Sequence, residues 1–158
     1  MQKKKKMIGD WNGEGVEAAA NFLRDWEGLR LVPYKAVPSE THWTVGYGHY
    51  SKDIREGERI DEIQAELFLD ADIKYVQRQL ADLVSVPVTL AQSTALLSFA
   101  FNVGIGNFKR STLRKLLNEG KAVNAAYEFR KWNRAGGKEL PGLSRRRRAE
   151  KALFMDGV

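Results

Sequence analysis

The chain has 158 residues, enough for one domain with a real core, and its 43% hydrophobic and 29% charged content is ordinary for a globular protein. It contains no cysteine and only two histidines, His42 and His49. That excludes disulfides and thiolate metal sites and leaves no histidine-rich metal site to expect. The formal net charge of +6 favours a polyanionic partner: nucleic acid, anionic lipid or an anionic wall polymer.

The N-terminal run Lys3 to Lys6 resembles the start of a signal peptide, but no apolar segment follows, so residues 1–13 read as a solvated tail without an export signal. No stretch approaches the roughly 18 apolar residues of a membrane span. "GEGVEAAANFLRDWEG" spaces Val16, Ala19, Ala20, Phe22, Leu23 and Trp26 as one helix face, with Gly28 at its stop and Glu27 in its last turn. Pro33 and Pro38 forbid a long helix next, and "HWTVGYGHY" reads as a hairpin or small three-stranded sheet. Residues 14–60 thus form an expected N-terminal lobe.

A connecting helix is expected over 61–85, opened by the capping pair Asp61 and Gln64. A helical lobe is expected over 86–158. Thr89 and Gln92 cap its first helix, whose body "ALLSFAF" is apolar on nearly every side and therefore central. "FKRSTLRKLLNEG" reads as one helix ending at Gly120, "KAVNAAYEFRKW" as another ending near Trp132, and "NRAGGKELPG" as a loop. "LSRRRRAEKALFMDG" reads as a last amphipathic helix. The expected fold class is α+β, predominantly α, with no repeat at a fixed period.

A carboxyl at a helix C-terminus meets partial negative charge, a setting that suits a general acid. On position alone, Glu27 equally reads as a solvated helix end. Its neighbours add a resemblance. "WEGLRLVPYKA…WTVGYGH" is similar to the signature of the phage-type lysozymes (endolysins, or muramidases), a glutamate in E-G-L-R-L-x-x-Y followed by Y-x-D-x-x-G-x-x-T-I-G-Y-G-H. "EGERIDEIQAELFLDADI", "LLSFAFNVGIGNFKRSTLRKLLNEG" and "EFRKWNRAGGKELPGLSRRRRAEKALF" extend it from about Val16 to Phe154.

The resemblance implies a lysozyme-like fold, a small sheet lobe and a helical lobe around a cleft. It implies hydrolysis of the β-1,4 bond between N-acetylmuramic acid and N-acetylglucosamine in peptidoglycan, with bacterial lysis as the outcome. Glu27 takes the general-acid position and Thr44 that of the threonine holding the attacking water. His49 and Asp72 take the positions of a structural pair. Tyr50, Phe101 and Ser111 match substrate-contacting positions, although Phe101 equally reads as core and Ser111 as a helix N-cap. Four successive arginines spray around a helix and cannot all share one face; the resemblance implies an arginine of this helix beside the general acid, so Arg145 or Arg146 is the expected partner of Glu27, the others forming a solvated face. No metal or organic cofactor is implied, and a monomer acting on peptidoglycan is expected. It would accumulate in the cytoplasm of a producing host and reach the wall on release.

One position departs from the pattern. Ala36 stands where the family has its second carboxylate, in a loop two residues longer, and Glu40 is the one acid between Tyr34 and Thr44. Either Glu40 replaces that aspartate, or Glu27 works with a Thr44-held water alone. Loss of catalysis in a wall-binding protein is a third reading. A nucleic-acid binder is a fourth, without a recognisable motif to carry it.

Overall fold

A computed structural model describes residues 11–158; the lysine run lies outside them. Helix α1 spans Gly13–Glu27. Asn12 caps it by accepting from the Glu14 N–H at 3.1 Å; of the face that the spacing predicts, Val16, Ala19, Ala20 and Leu23 are buried, while Phe22 and Trp26 at its edge are only partly so. Gly28, at φ 65°, turns the chain out of the helix directly after Glu27, a conformation that a Cβ would oppose.

Strands β1 (Arg30–Tyr34), β2 (Trp43–Gly46) and β3 (His49–Ser51) form an antiparallel sheet in that order. Thr44, on the central strand, sits opposite Tyr34 on one side and Tyr50 on the other. Val45, Ile60 and Ala65 make a small core beneath the sheet, with Leu31, Ile54 and Phe68 against it. Helix α2 (Glu62–Leu83) is opened by the expected capping box, Asp61 and Gln64 exchanging bonds of 2.8 and 3.0 Å. At 22 residues it is about 33 Å long, and it belongs to both cores: Ala65 packs under the sheet, Ile73 and Leu80 in the main core.

That main core surrounds α3 (Leu90–Val103), whose nine residues from Gln92 to Ala100 are all buried. Phe99 lies at its middle, meeting Phe108, Phe129 and Trp132 edge-on at 5.2 to 6.3 Å between centroids. Around it run α4 (Ile105–Arg110), α5 (Thr112–Asn118), α6 (Ala122–Glu128) and α7 (Pro141–Asp156).

Two local readings change. The helix expected through 108–120 breaks at Ser111, whose hydroxyl donates to the Phe108 carbonyl at 2.7 Å and accepts from the Arg114 N–H at 3.1 Å. The side chain thus satisfies the end of one helix and the start of the next. The loop after Trp132 is a short hairpin of β4 (Arg134–Ala135) and β5 (Lys138–Glu139), turned by Gly136 and Gly137 at φ 59° and 77°.

Candidate active site

Glu27 ends α1 with its carboxyl between α7 and the turn that joins β2 to β3. Its Oε1 accepts from Arg146 Nη1 at 2.7 Å. Its Oε2 lies against Gly48, where an added Cβ would stand 3.1 Å away. The Glu27 side chain is 18% exposed and that of Arg146 5%, so the acid stays within reach of solvent while its partner is enclosed.

The enclosure has its own chemistry. Arg146 Nη2 also donates to the Ser98 carbonyl at 3.1 Å, and Ser98 Oγ donates to Glu150 Oε2 at 2.6 Å. Glu150 stands 3.5 Å from Arg146 Nε and 3.0 Å from Arg147 Nε. Arg147 donates to Asn102 Oδ1 and lies over the Phe99 ring, 5.0 Å from its centroid. Two guanidiniums therefore face two carboxylates, a neutral set, without which burial would cost several kcal/mol per ion. Burial pushes the Glu150 carboxyl up, against the pull of Arg147, the Ser98 hydroxyl and Arg146. Burial likewise lowers the Arg147 guanidinium to about 10, with Glu150 opposing the shift.

This corrects the reading of the arginine run. Arg146 makes the pair with Glu27, whereas Arg145 and Arg148 are exposed. Arg147, expected in solvent, is 1% exposed. The reason is helical spacing: residues 147, 150 and 154 share the face of α7 that packs on α3.

The sheet side is tied to α1 by groups that sequence reading missed. Arg24, one turn before Glu27, grips Glu66 through Nε and Nη2 at 2.8 and 2.6 Å, a bidentate fork. The Tyr47 phenol lies near the same carboxylate. The Arg24 hydrogen bond holds the Glu66 carboxyl below the usual carboxylate range, and burial pushes the Tyr47 phenol up. The available signal was the one-turn spacing of Arg24 and Glu27; Glu66 is 42 residues further on and carried none. Next in the turn, His49 Nδ1 meets Asp72 Oδ2 at 2.8 Å and its ring stacks on Phe68 at 4.2 Å.

The unusual loop closes on itself. Glu40 N–H donates to the Val37 carbonyl at 3.1 Å, and Glu40 Oε2 accepts from the Ala36 N–H at 3.0 Å. The Glu40 carboxylate thus folds back over the position where the resemblance calls for aspartate. That position follows Tyr34 by two residues, and Tyr34 pairs with Thr44, which is 9% exposed. Tyr50 is half-exposed, and its hydroxyl accepts from the His42 N–H at 3.2 Å. Phe101 is partly buried against the main core, and the Ser111 hydroxyl is fully used in joining α4 to α5. Among the described residues, no three His, Cys, Asp or Glu side chains cluster as metal ligands, and no helix is long and apolar enough to cross a membrane.

Comparison with known proteins places this architecture. Residues 24–150 match the phage lysozyme family. The endolysin of Bacillus phage B103 is 45% identical over 141 residues, which cover 89% of this chain and 54% of that protein. The endolysin of Acyrthosiphon pisum secondary endosymbiont phage 1 is 44% identical over 137 residues, covering 84% of this chain and 92% of that one. The solved muramidase domain of SpmX from Asticaccaulis excentricus is 34% identical, with a TM-score of 0.79 over 95% of this chain and 98% of that chain. The chain spans about half the length of the Bacillus phage endolysins it matches. With a family match running from Arg24 in α1 to Glu150 in α7, the chain belongs to the phage lysozyme family.

Proposed function

We propose that this chain is a muramidase that hydrolyses the β-1,4 bond between N-acetylmuramic acid and N-acetylglucosamine in peptidoglycan, with Glu27 as general acid. The observation that carries the reading is the setting of the Glu27 carboxyl. Arg146 occupies Oε1, so a proton on this group belongs on Oε2, beside the Gly48 backbone. That oxygen protonates the departing glycosidic oxygen. No Cβ at residue 48 narrows the approach.

Glycoside hydrolysis uses a second carboxylate, roughly 6.5–9.5 Å from the acid for inversion and roughly 5–5.5 Å for retention. Glu40 fills this role, supported by its return to the Ala36 N–H. Thr44, enclosed on the central strand, holds the attacking water. Arg146 fixes the acid, and His49 with Asp72 braces the turn. Tyr50 offers a half-exposed ring as a sugar wall, with Phe101 and Ser111 on the helical side. The unit works as a monomer without a cofactor. It is made in the cytoplasm of a producing cell, meets the wall on release, and has no nucleic-acid partner.

Digestion of purified peptidoglycan tests the reaction. Borohydride reduction of the products should label new N-acetylmuramic acid ends. Labelled N-acetylglucosamine ends, or 1,6-anhydro ends that resist reduction, would overturn it.

A further inference from the structure

A second concave surface lies far from Glu27. Where α4 meets α5, a groove of about 430 Å³ is lined by Lys109, Arg110, Arg114 and Lys115, with Ser111, Thr112, Asn118 and Glu119 beside them. The one acid is already engaged, Glu119 standing 3.0 Å from Lys121 Nζ. Among the described residues no ion pair engages Lys109, Arg110 or Lys115, and all three are exposed. The groove thus concentrates positive charge that, among the described residues, no ion pair neutralises at Lys109, Arg110 or Lys115.

Its floor is rigid. Arg114 Nε donates to the Leu83 carbonyl at 2.8 Å and its Nη1 to the Lys109 carbonyl at 3.2 Å. Asn118 donates to the same Leu83 carbonyl at 2.9 Å and accepts from the Ser85 N–H at 2.9 Å. Two of the five guanidinium N–H groups are spent on holding Arg114 in place, and three remain. A cation already immobilised loses little entropy on binding a ligand.

The location sets this groove apart from Glu27, although Ser111, one of its lining residues, is also a proposed glycan contact. Leu83 ends α2, and Glu66, which joins the Glu27 end of α1, lies 17 residues earlier (83 − 66). At 1.5 Å per residue that is about 25 Å along the helix.

We propose that this groove binds a phosphodiester of an anionic wall polymer, of the polyol-phosphate class, while the glycan occupies the cleft at Glu27. A tetrahedral phosphate directs its oxygens to several sides and meets a pinned guanidinium and surrounding ammonium groups together; a planar carboxylate fills one fork. No aromatic side chain lines the groove, so nucleic-acid bases have nothing to stack on. The preference for a wall polymer over nucleic acid rests on the muramidase reading; the charge count does not.

A defined glycerol-phosphate oligomer is the probe, titrated against the Glu27→Gln protein so that binding is read without cleavage. Saturable binding should weaken at least tenfold in a further Lys109→Gln/Lys115→Gln variant. The slope of log K against log salt should flatten by about 1.4, two contacts at about 0.7 each. On a Glu27-intact background the same two substitutions should leave hydrolysis of phosphate-free peptidoglycan unchanged. Unchanged oligomer affinity in the lysine variant would overturn the site, and so would tighter binding of a single-stranded oligonucleotide of equal charge. Absence of hydrolysis by the unsubstituted protein, with its oligomer binding intact and lost in the lysine variant, would strike the muramidase reading and leave the groove standing.

Discussion

Replacing Gly48 by alanine separates the site's geometry from its stability. The residue stands at φ 78°, where a side chain costs about 1–2 kcal/mol. In a domain of this size that lowers Tm by about 2–8 °C. The new Cβ would also lie 3.1 Å from Glu27 Oε2, which must give way by a few tenths of an ångström. The carboxyl cannot simply retreat, because Arg146 holds its other oxygen at 2.7 Å. Misplacement of a catalytic group by about 1 Å costs about a hundredfold, so a shift of a few tenths in Gly48→Ala should lose roughly three- to tenfold in rate, mostly in kcat. Gly57 supplies the control: its φ is 74° and nothing lies within 4 Å of its added Cβ. Gly57→Ala should show the same fall in Tm with unchanged hydrolysis. Thermal unfolding and initial rates on soluble peptidoglycan fragments read both effects. Equal activity in the two variants would refute the claim that the turn positions the acid.

Three further outcomes follow from the same contacts. Glu40→Gln should lower hydrolysis at least a hundredfold without changing Tm, and adding Ala36→Asp should recover part of it; untouched activity would remove Glu40 from the mechanism. Arg147→Met with Glu150→Gln should match or exceed the original stability by about 1–4 kcal/mol in denaturant titration, because burial opposes both charges and the remaining Glu27 and Arg146 still balance; a less stable protein would contradict this. Glu150, with its carboxyl pushed up, contributes stability that is complete below its ordinary value of 4.5 and lost as pH rises through the folded value, a fall the double variant should lack. Glu66, held low by Arg24, has the opposite sign. Its contribution is present above 4.5 and lost as pH falls through the folded value, so Glu66→Gln should flatten the acid limb of Tm against pH; a limb of unchanged slope would count against the fork.

Much of this was legible because the informative groups lie close in sequence or on regular spacing. The stripe of α1 placed Glu27 at a helix end, the two capping boxes opened α2 and α3, and α3 read as central because its apolar residues surround it. The pairing of His49 with Asp72, and of Arg145 or Arg146 with Glu27, came from the family resemblance; the structure contains the first pair and selects Arg146 for the second. What sequence hid were choices decided by tertiary contact. α7 looks amphipathic with a basic face, yet Arg147 enters the core because Glu150 and the Phe99 ring receive it there. The N-cap reading of Ser111 holds for α5, but the same hydroxyl also closes α4 on the Phe108 carbonyl, which helical spacing does not register. The fork from Arg24 to Glu66 joins residues whose meeting depends on how α1 crosses α2.

In the proposed reaction one carboxyl, held by Arg146 against Gly48, protonates the leaving group. Glu27→Gln keeps an acceptor for Arg146 and removes the proton donor. Measured on purified peptidoglycan, with the fold checked by circular dichroism, the account predicts a folded protein whose hydrolysis falls by about 10²–10⁴ or more. A folded Glu27→Gln protein with activity within about threefold of the parent would contradict it.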